Sequence, residues 1–178
     1  TFGIFQLGGN GAKNLSRRFF STPRQDGWLC FLDLAAGLAL NRPGPKASIP
    51  KYLENKDNPQ LIQYKHPLLE GILSWTNGCL VYQEQISMIA QALAGYPATT
   101  ADIFRKSIGK KDVQALMAQK KPFIYGQDDE HGNIIIKGCI RNGVPEHIAH
   151  EIFDDLAEFA RYGFNIPHAG SYAVIAAK

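Results

Sequence analysis

A mainly α-helical fold with a minor β-hairpin is what this sequence predicts, on three observations. Apolar residues recur at three- and four-residue steps over 81–94 and again over 148–159, the spacing of one helix face. Glycine and proline punctuate the chain at intervals that suit helix ends and turns. Two short apolar runs, Phe123-Ile124-Tyr125 and Ile134-Ile135-Ile136, flank a polar, Gly-containing loop, which is a hairpin signature.

Taken in order, residues 1–7 alternate through Phe2, Ile4 and Phe5 and close on Gly8-Gly9-Asn10-Gly11, a short strand ending in a turn. Residues 33–40, rich in Leu and Ala, predict a helix stopped by Arg42-Pro43-Gly44-Pro45. Residues 46–67, with Pro50, Pro59 and Pro67 among lysines and asparagines, read as an irregular connector carrying one short helix. Thr76-Asn77-Gly78 is a turn, and 81–94 is a helix through Tyr82, Ile86, Ile89 and Leu93 that Gly95 closes. Thr99, with Asp102 three residues later, resembles a capping box opening a helix that ends at Gly109. A further helix is expected over 111–119. Pro145 and Glu146 suit a helix start, Ile148, Ile152, Phe153, Leu156 and Phe159 supply its apolar face, and Gly163 its stop. A last helix begins around Pro167.

Composition narrows the function. Hydrophobic residues make up 45% and charged residues 20%, ordinary globular usage, and 178 residues suffice for one domain or one domain and part of a second. The 19 Lys and Arg against 16 Asp and Glu give a formal charge of only +3, so any basic patch must be local. Cys30, Cys79 and Cys139 lie far apart and match neither a zinc site nor a disulfide framework, and we read them as reduced, in a cytoplasmic protein. No run reaches the ~18 apolar residues of a membrane span, so no membrane partner is expected. A start at Thr1 and a helical pattern still running at the C-terminus suggest a piece of something longer.

Four cations, Arg105, Lys106, Lys110 and Lys111, fall within seven residues around Gly109. Phosphate is an obvious counter-charge, although a solvated basic face complementing the helix dipole is the plainer account. Arg42, on its proline-rich turn, could hold a guanidinium steady for phosphate or be an ordinary surface arginine. Gln83-Glu84-Gln85, taken alone, reads as an exposed helix edge. His147 and His150 have metal-ligand spacing beside Glu151 and Asp154, but a helix surface explains them and no metal site is expected. Tyr162-Gly163-Phe164-Asn165-Ile166-Pro167-His168 joins two helices, after which His168, Ser171 and Tyr172 share a face. Such a helix start offers free N–H groups to an anion, and a buried aromatic corner is the alternative.

The order of these segments resembles the alpha subunit of bacterial DNA polymerase III, the C-family replicative polymerases. The matching pieces are Gly3-Ile4-Phe5-Gln6-Leu7, Arg42-Pro43-Gly44-Pro45, His66-Pro67-Leu68-Leu69, Val81-Tyr82-Gln83-Glu84-Gln85, Leu93-Ala94-Gly95-Tyr96, Arg105-Lys106-Ser107-Ile108-Gly109-Lys110-Lys111 and residues 159–173. The resemblance implies a palm-proximal segment and linker over 1–22 and a helical fingers-type domain over 23–178, truncated within its last helix. It implies a part of a DNA-directed DNA polymerase in which Arg105, Lys106, Asn165, His168, Ser171 and Tyr172 meet the incoming dNTP, and Arg42, Lys110 and Lys111 meet DNA phosphates. Template-primer, dNTP and other replicase subunits would be its partners. Magnesium would serve the full-length enzyme through ligands outside this chain, so this piece alone is expected to be inactive. Two departures stand out: Gly8-Gly9 follows Gln6-Leu7 where the family has Glu-Ser, and Ile166-Pro167 stands where it has Lys-Ser. The second favours a rival reading, a non-catalytic nucleic-acid-binding domain derived from such a polymerase. A helical protein-interaction module is a third.

Overall fold

Helix ends in this chain are set by local hydrogen-bonding chemistry, and the computed structural model, which describes residues 10–22, 26–42, 45–109 and 113–177, shows how. After α1 (Asn10–Phe19), the Asp26 carboxylate accepts from the backbone N–H groups of Trp28 and Leu29 and opens α2 (Gly27–Leu40). That cap starts the helix earlier than its Leu/Ala-rich part suggests. A 3₁₀ turn (Pro45–Ser48) leads into α3 (Ile49–Asp57), a 3₁₀ turn (Pro59–Leu61) follows, and the one-turn α4 (Glu70–Leu73) comes next. Beyond it lie α5 (Gln83–Ala94), α6 (Ala98–Ile108), α7 (Val113–Tyr125), the strands β1 (Gln127–Asp128) and β2 (Ile134–Ile136), α8 (Glu146–Ala160) and α9 (Ile166–Ala177). The protein is mainly helical with one small antiparallel hairpin, as the sequence predicts.

The chain divides into two compact units. The first comprises the described parts of Thr1–Gln63, Leu73–Tyr82 and Gly163–Lys178. Within it α9 returns to pack on α2, and Phe19, Leu38, Leu40, Ile49, Tyr52, Val81, Phe164 and Ala173 form one core. The second comprises Tyr64–Ile72 and Gln83–Tyr162, where α5 and α6 pack together and Phe104, Phe123 and Phe153 meet ring to ring at 5.4–6.2 Å. Burying side chains of this size contributes about 1.5–3 kcal/mol each.

Several elements differ from the sequence reading, each for a physical reason. The first hairpin strand is Gln127–Asp128, because Phe123 and Ile124 stay helical and fully buried at the end of α7. Residues 46–67 are more ordered than a connector: α3 buries Ile49, Tyr52, Asn55 and Lys56 along one side. Thr99 caps nothing, since Pro97 takes the N-cap position without a side-chain bond and Asp102 turns to Arg105 and Lys106 instead. Gln85 is fully buried, its amide donating to the Ile72 carbonyl at 3.3 Å, so the edge of α5 is not uniformly exposed. The turn at Asn77-Gly78 is as expected, with both residues at positive φ. The strand expected over 1–7 lies outside the described residues.

Candidate functional site

The loop between α8 and α9 is built on Phe164. Its backbone forms an isolated parallel bridge with Tyr82, and Tyr82 in turn stacks on Trp75 with ring centroids 5.2 Å apart and planes 4° from parallel. Fixed in this way, the buried Phe164 ring becomes a platform. The Arg42 guanidinium lies over it, 4.2 Å from the centroid. The His168 ring meets Phe164 edge-on at 4.8 Å and meets Tyr172 at 4.6 Å. His168 and Tyr172 lie four residues apart on α9, the spacing that stacks side chains on one helix face. The result is a column of Arg42, Phe164, His168 and Tyr172 at the start of α9.

The helix start itself is closed. Asn165 Oδ1 accepts the His168 N–H at 3.0 Å, the Asn165 carbonyl accepts from Ala169 N–H at 3.2 Å, and Pro167 has no N–H to offer. The free N–H groups suggested by the sequence at this helix start are therefore largely spent on capping, and any attraction for an anion falls to Arg42 and to the helix dipole. Ser171 shares the exposed side of α9 but donates its hydroxyl to the Pro167 carbonyl at 2.8 Å. Beside this corner an open apolar recess of about 370 Å³ is lined by Trp28, Phe31, Trp75, Tyr82, Ile166 and Gly170 among others.

Arg105 and Lys106 belong to the second unit. Arg105 donates Nε–H and Nη2–H to Asp102 Oδ1 at 3.0 and 2.7 Å, and Nη1–H to Gln83 Oε1 at 2.9 Å. Lys106 Nζ reaches the other oxygen, Asp102 Oδ2, at 2.6 Å. Hydrogen bonds from Lys106 and then Arg105 hold the Asp102 carboxyl below its ordinary pKa. Lys110 and Lys111 lie outside the described residues. Among the described residues no three His, Cys, Asp or Glu side chains gather so as to hold a metal ion, and no helix is long and apolar enough to cross a membrane.

Sequence reasoning missed the platform and the clamp. The contact of Arg42 with Phe164 joins residues over a hundred positions apart, and no local pattern announces it. The clamp did leave a signal, an aspartate three and four residues before two cations, but the same aspartate also fits a capping box.

Residues 1–131 match the family described as the bacterial DNA polymerase III alpha subunit finger domain. The chain is 38% identical over 175 residues to the DNA polymerase III subunit alpha of Chlamydia pneumoniae, an overlap covering 98% of this chain and 13% of that protein. The corresponding Staphylococcus epidermidis protein is 39% identical over 99% of the chain and 15% of its own length. That of Rickettsia conorii is 41% identical over 97% and 13%. The chain thus spans about one seventh of these curated relatives, or 13–15% of their length.

Proposed function

Because this chain belongs to the finger-domain family of bacterial DNA polymerase III alpha subunits, we propose that it serves a DNA-directed DNA polymerase in replication by positioning the incoming dNTP and the template-primer for nucleotidyl transfer. The observation that carries this reading is the column at α9. An exposed guanidinium steadied on an aromatic face keeps its planar donors for phosphate, and His168 and Tyr172 continue the same surface. Asn165 holds that surface in place by capping α9. The resemblance also assigns Arg105 and Lys106 to the nucleotide, and Lys110 and Lys111 to the DNA backbone.

Such a module works by electrostatic preorganisation. Cations already fixed where charge grows on the leaving pyrophosphate stabilise the transition state without reorganising during the reaction. Magnesium ions, when bound by the full-length enzyme, would activate the primer hydroxyl and neutralise the pyrophosphate. By the resemblance their ligands belong outside this chain, and no step here passes through them. The working context is then a cytoplasmic replicase with its other subunits.

A second reading, a non-catalytic nucleic-acid-binding domain derived from such a polymerase, is favoured by Ile166. This residue lines the apolar recess at the position where the resemblance expects lysine. Primer extension with magnesium separates the two. The full-length parent should extend a primed template, and the isolated chain should not. The isolated chain should bind DNA weakly. Replacing Arg105, Lys106, Lys110 and Lys111 by alanine should flatten its salt slope by about 0.9 for each phosphate no longer neutralised. Extension by the rigorously purified chain would overturn the proposal, and a parent that binds without extending would favour the second reading.

A further inference from the structure

Arginine brings five N–H donors to a site in a rigid plane. At Arg105 three are committed, Nε–H and one Nη2–H to Asp102 and one Nη1–H to Gln83. One donor remains on each terminal nitrogen, left over for the oxygens of a phosphate. The side chain is 22% exposed, held on two sides yet open to solvent. A long arginine otherwise loses considerable rotamer entropy on binding an anion, and here the protein has spent that entropy beforehand. Asp102 also shares its second oxygen with Lys106, which is 64% exposed, so one carboxylate orients two cations without cancelling both charges.

We infer that Asp102, assisted by Gln83, is a positioning residue that aims the two spare terminal N–H donors of Arg105 at a phosphate of the incoming nucleotide, an assignment that rests on the nucleotide role given to Arg105 above. The clamp is sited for that task. Gln83 opens α5 and Asp102 and Arg105 lie one turn apart on α6, and these two helices pack directly against each other. The acceptors that fix the guanidinium are therefore mounted on rigid elements rather than on a loop. Lys106 cannot substitute for Arg105, because a lysine ammonium is a point charge on a flexible stem and has no plane to be aimed.

Steady-state single-nucleotide incorporation by the full-length parent tests this, with primer-template affinity measured alongside. Arg105→Ala should raise the apparent KM for dNTP. Asp102→Ala should raise it about tenfold, the scale of one charge-assisted hydrogen bond, with kcat changed much less and primer-template affinity not weakened. Asp102→Glu, which keeps the carboxylate, should recover part of the loss and provides the measurement if the alanine variant folds poorly. On the Arg105→Ala background, Asp102→Ala should add little, because its effect passes through the arginine. If Arg105→Ala raises KM and the Asp102 variants do not, the positioning role is wrong while the nucleotide role of Arg105 stands. If Asp102→Ala is equally harmful without Arg105, Asp102 acts by another route and the inference fails. If Arg105→Ala leaves KM unchanged, the underlying assignment of Arg105 fails, and the inference with it.

Discussion

Asp33 and Lys56 each expose only 2% of their side chains and face one another at 3.4 Å in the first unit. Two charges taken out of water repay their desolvation only when their remaining hydrogen-bonding capacity is met. Here Tyr52 donates its hydroxyl to Asp33 Oδ1 at 2.9 Å and Lys56 Nζ donates to the Phe19 carbonyl, so the pair ties α1, α2 and α3 together. Removing one partner strands the other. Lys56→Met should therefore cost the 178-residue chain about 3–5 kcal/mol in urea unfolding followed by circular dichroism. Asp33→Leu combined with Lys56→Met should recover most of that loss, since no charge is then left buried. A single variant as stable as the parent would show that the pair is not buried as described. Nothing in the sequence pairs these residues. Asp33 sits in an apolar helix and Lys56 among surface-like lysines and asparagines, and only their contacts with one another, with Tyr52 and with the Phe19 carbonyl account for both.

The hairpin is held by side chains, Arg141 donating to both Asp128 carboxylate oxygens at 2.6 and 3.0 Å, and its base is crowded at the backbone. Gly126 ends α7 at φ 89°, and a Cβ there would lie 2.4 Å from the Lys137 carbonyl oxygen. A Cβ on Gly138, at φ 80°, would lie 2.2 Å from Gly126 N. Left-handed backbone alone costs an L-residue about 1–2 kcal/mol, and here backbone atoms would also have to move. Gly126→Ala and Gly138→Ala should thus each destabilise the chain by clearly more than that in thermal melts. Gly132, at φ 80° with nothing within 4 Å of its would-be Cβ, provides the control, and alanine there should cost only the conformational strain. Equal effects at all three would contradict the crowding. Helix identity was legible because α5 and α8 carry their apolar residues at helical spacing. The strand boundary was not. Phe123 and Ile124 have the composition of a strand, and only their burial in the second unit, Phe123 against Phe104 and Phe153, keeps them helical.

On the scale of the whole molecule, the chain leaves its first unit after Gln63, returns for Leu73–Tyr82 and returns again at Gly163. Local periodicity cannot reveal such a division, because it depends on which distant segments pack together. The candidate site was legible to the same degree: the shared face of His168 and Tyr172 followed from helical spacing, whereas the capping of α9 by Asn165 and the platform under Arg42 did not. The central claim is that residues 162–172 face the incoming nucleotide in the parent enzyme. Its most direct measurement is photo-crosslinking of a base-modified photoreactive dNTP to the full-length parent on a dideoxy-terminated primer-template, with the labelled peptides mapped by mass spectrometry. Label within residues 162–172, competed away by unmodified matched dNTP, is the expected result. Label confined to peptides outside residues 1–178, with the same competition, would contradict it.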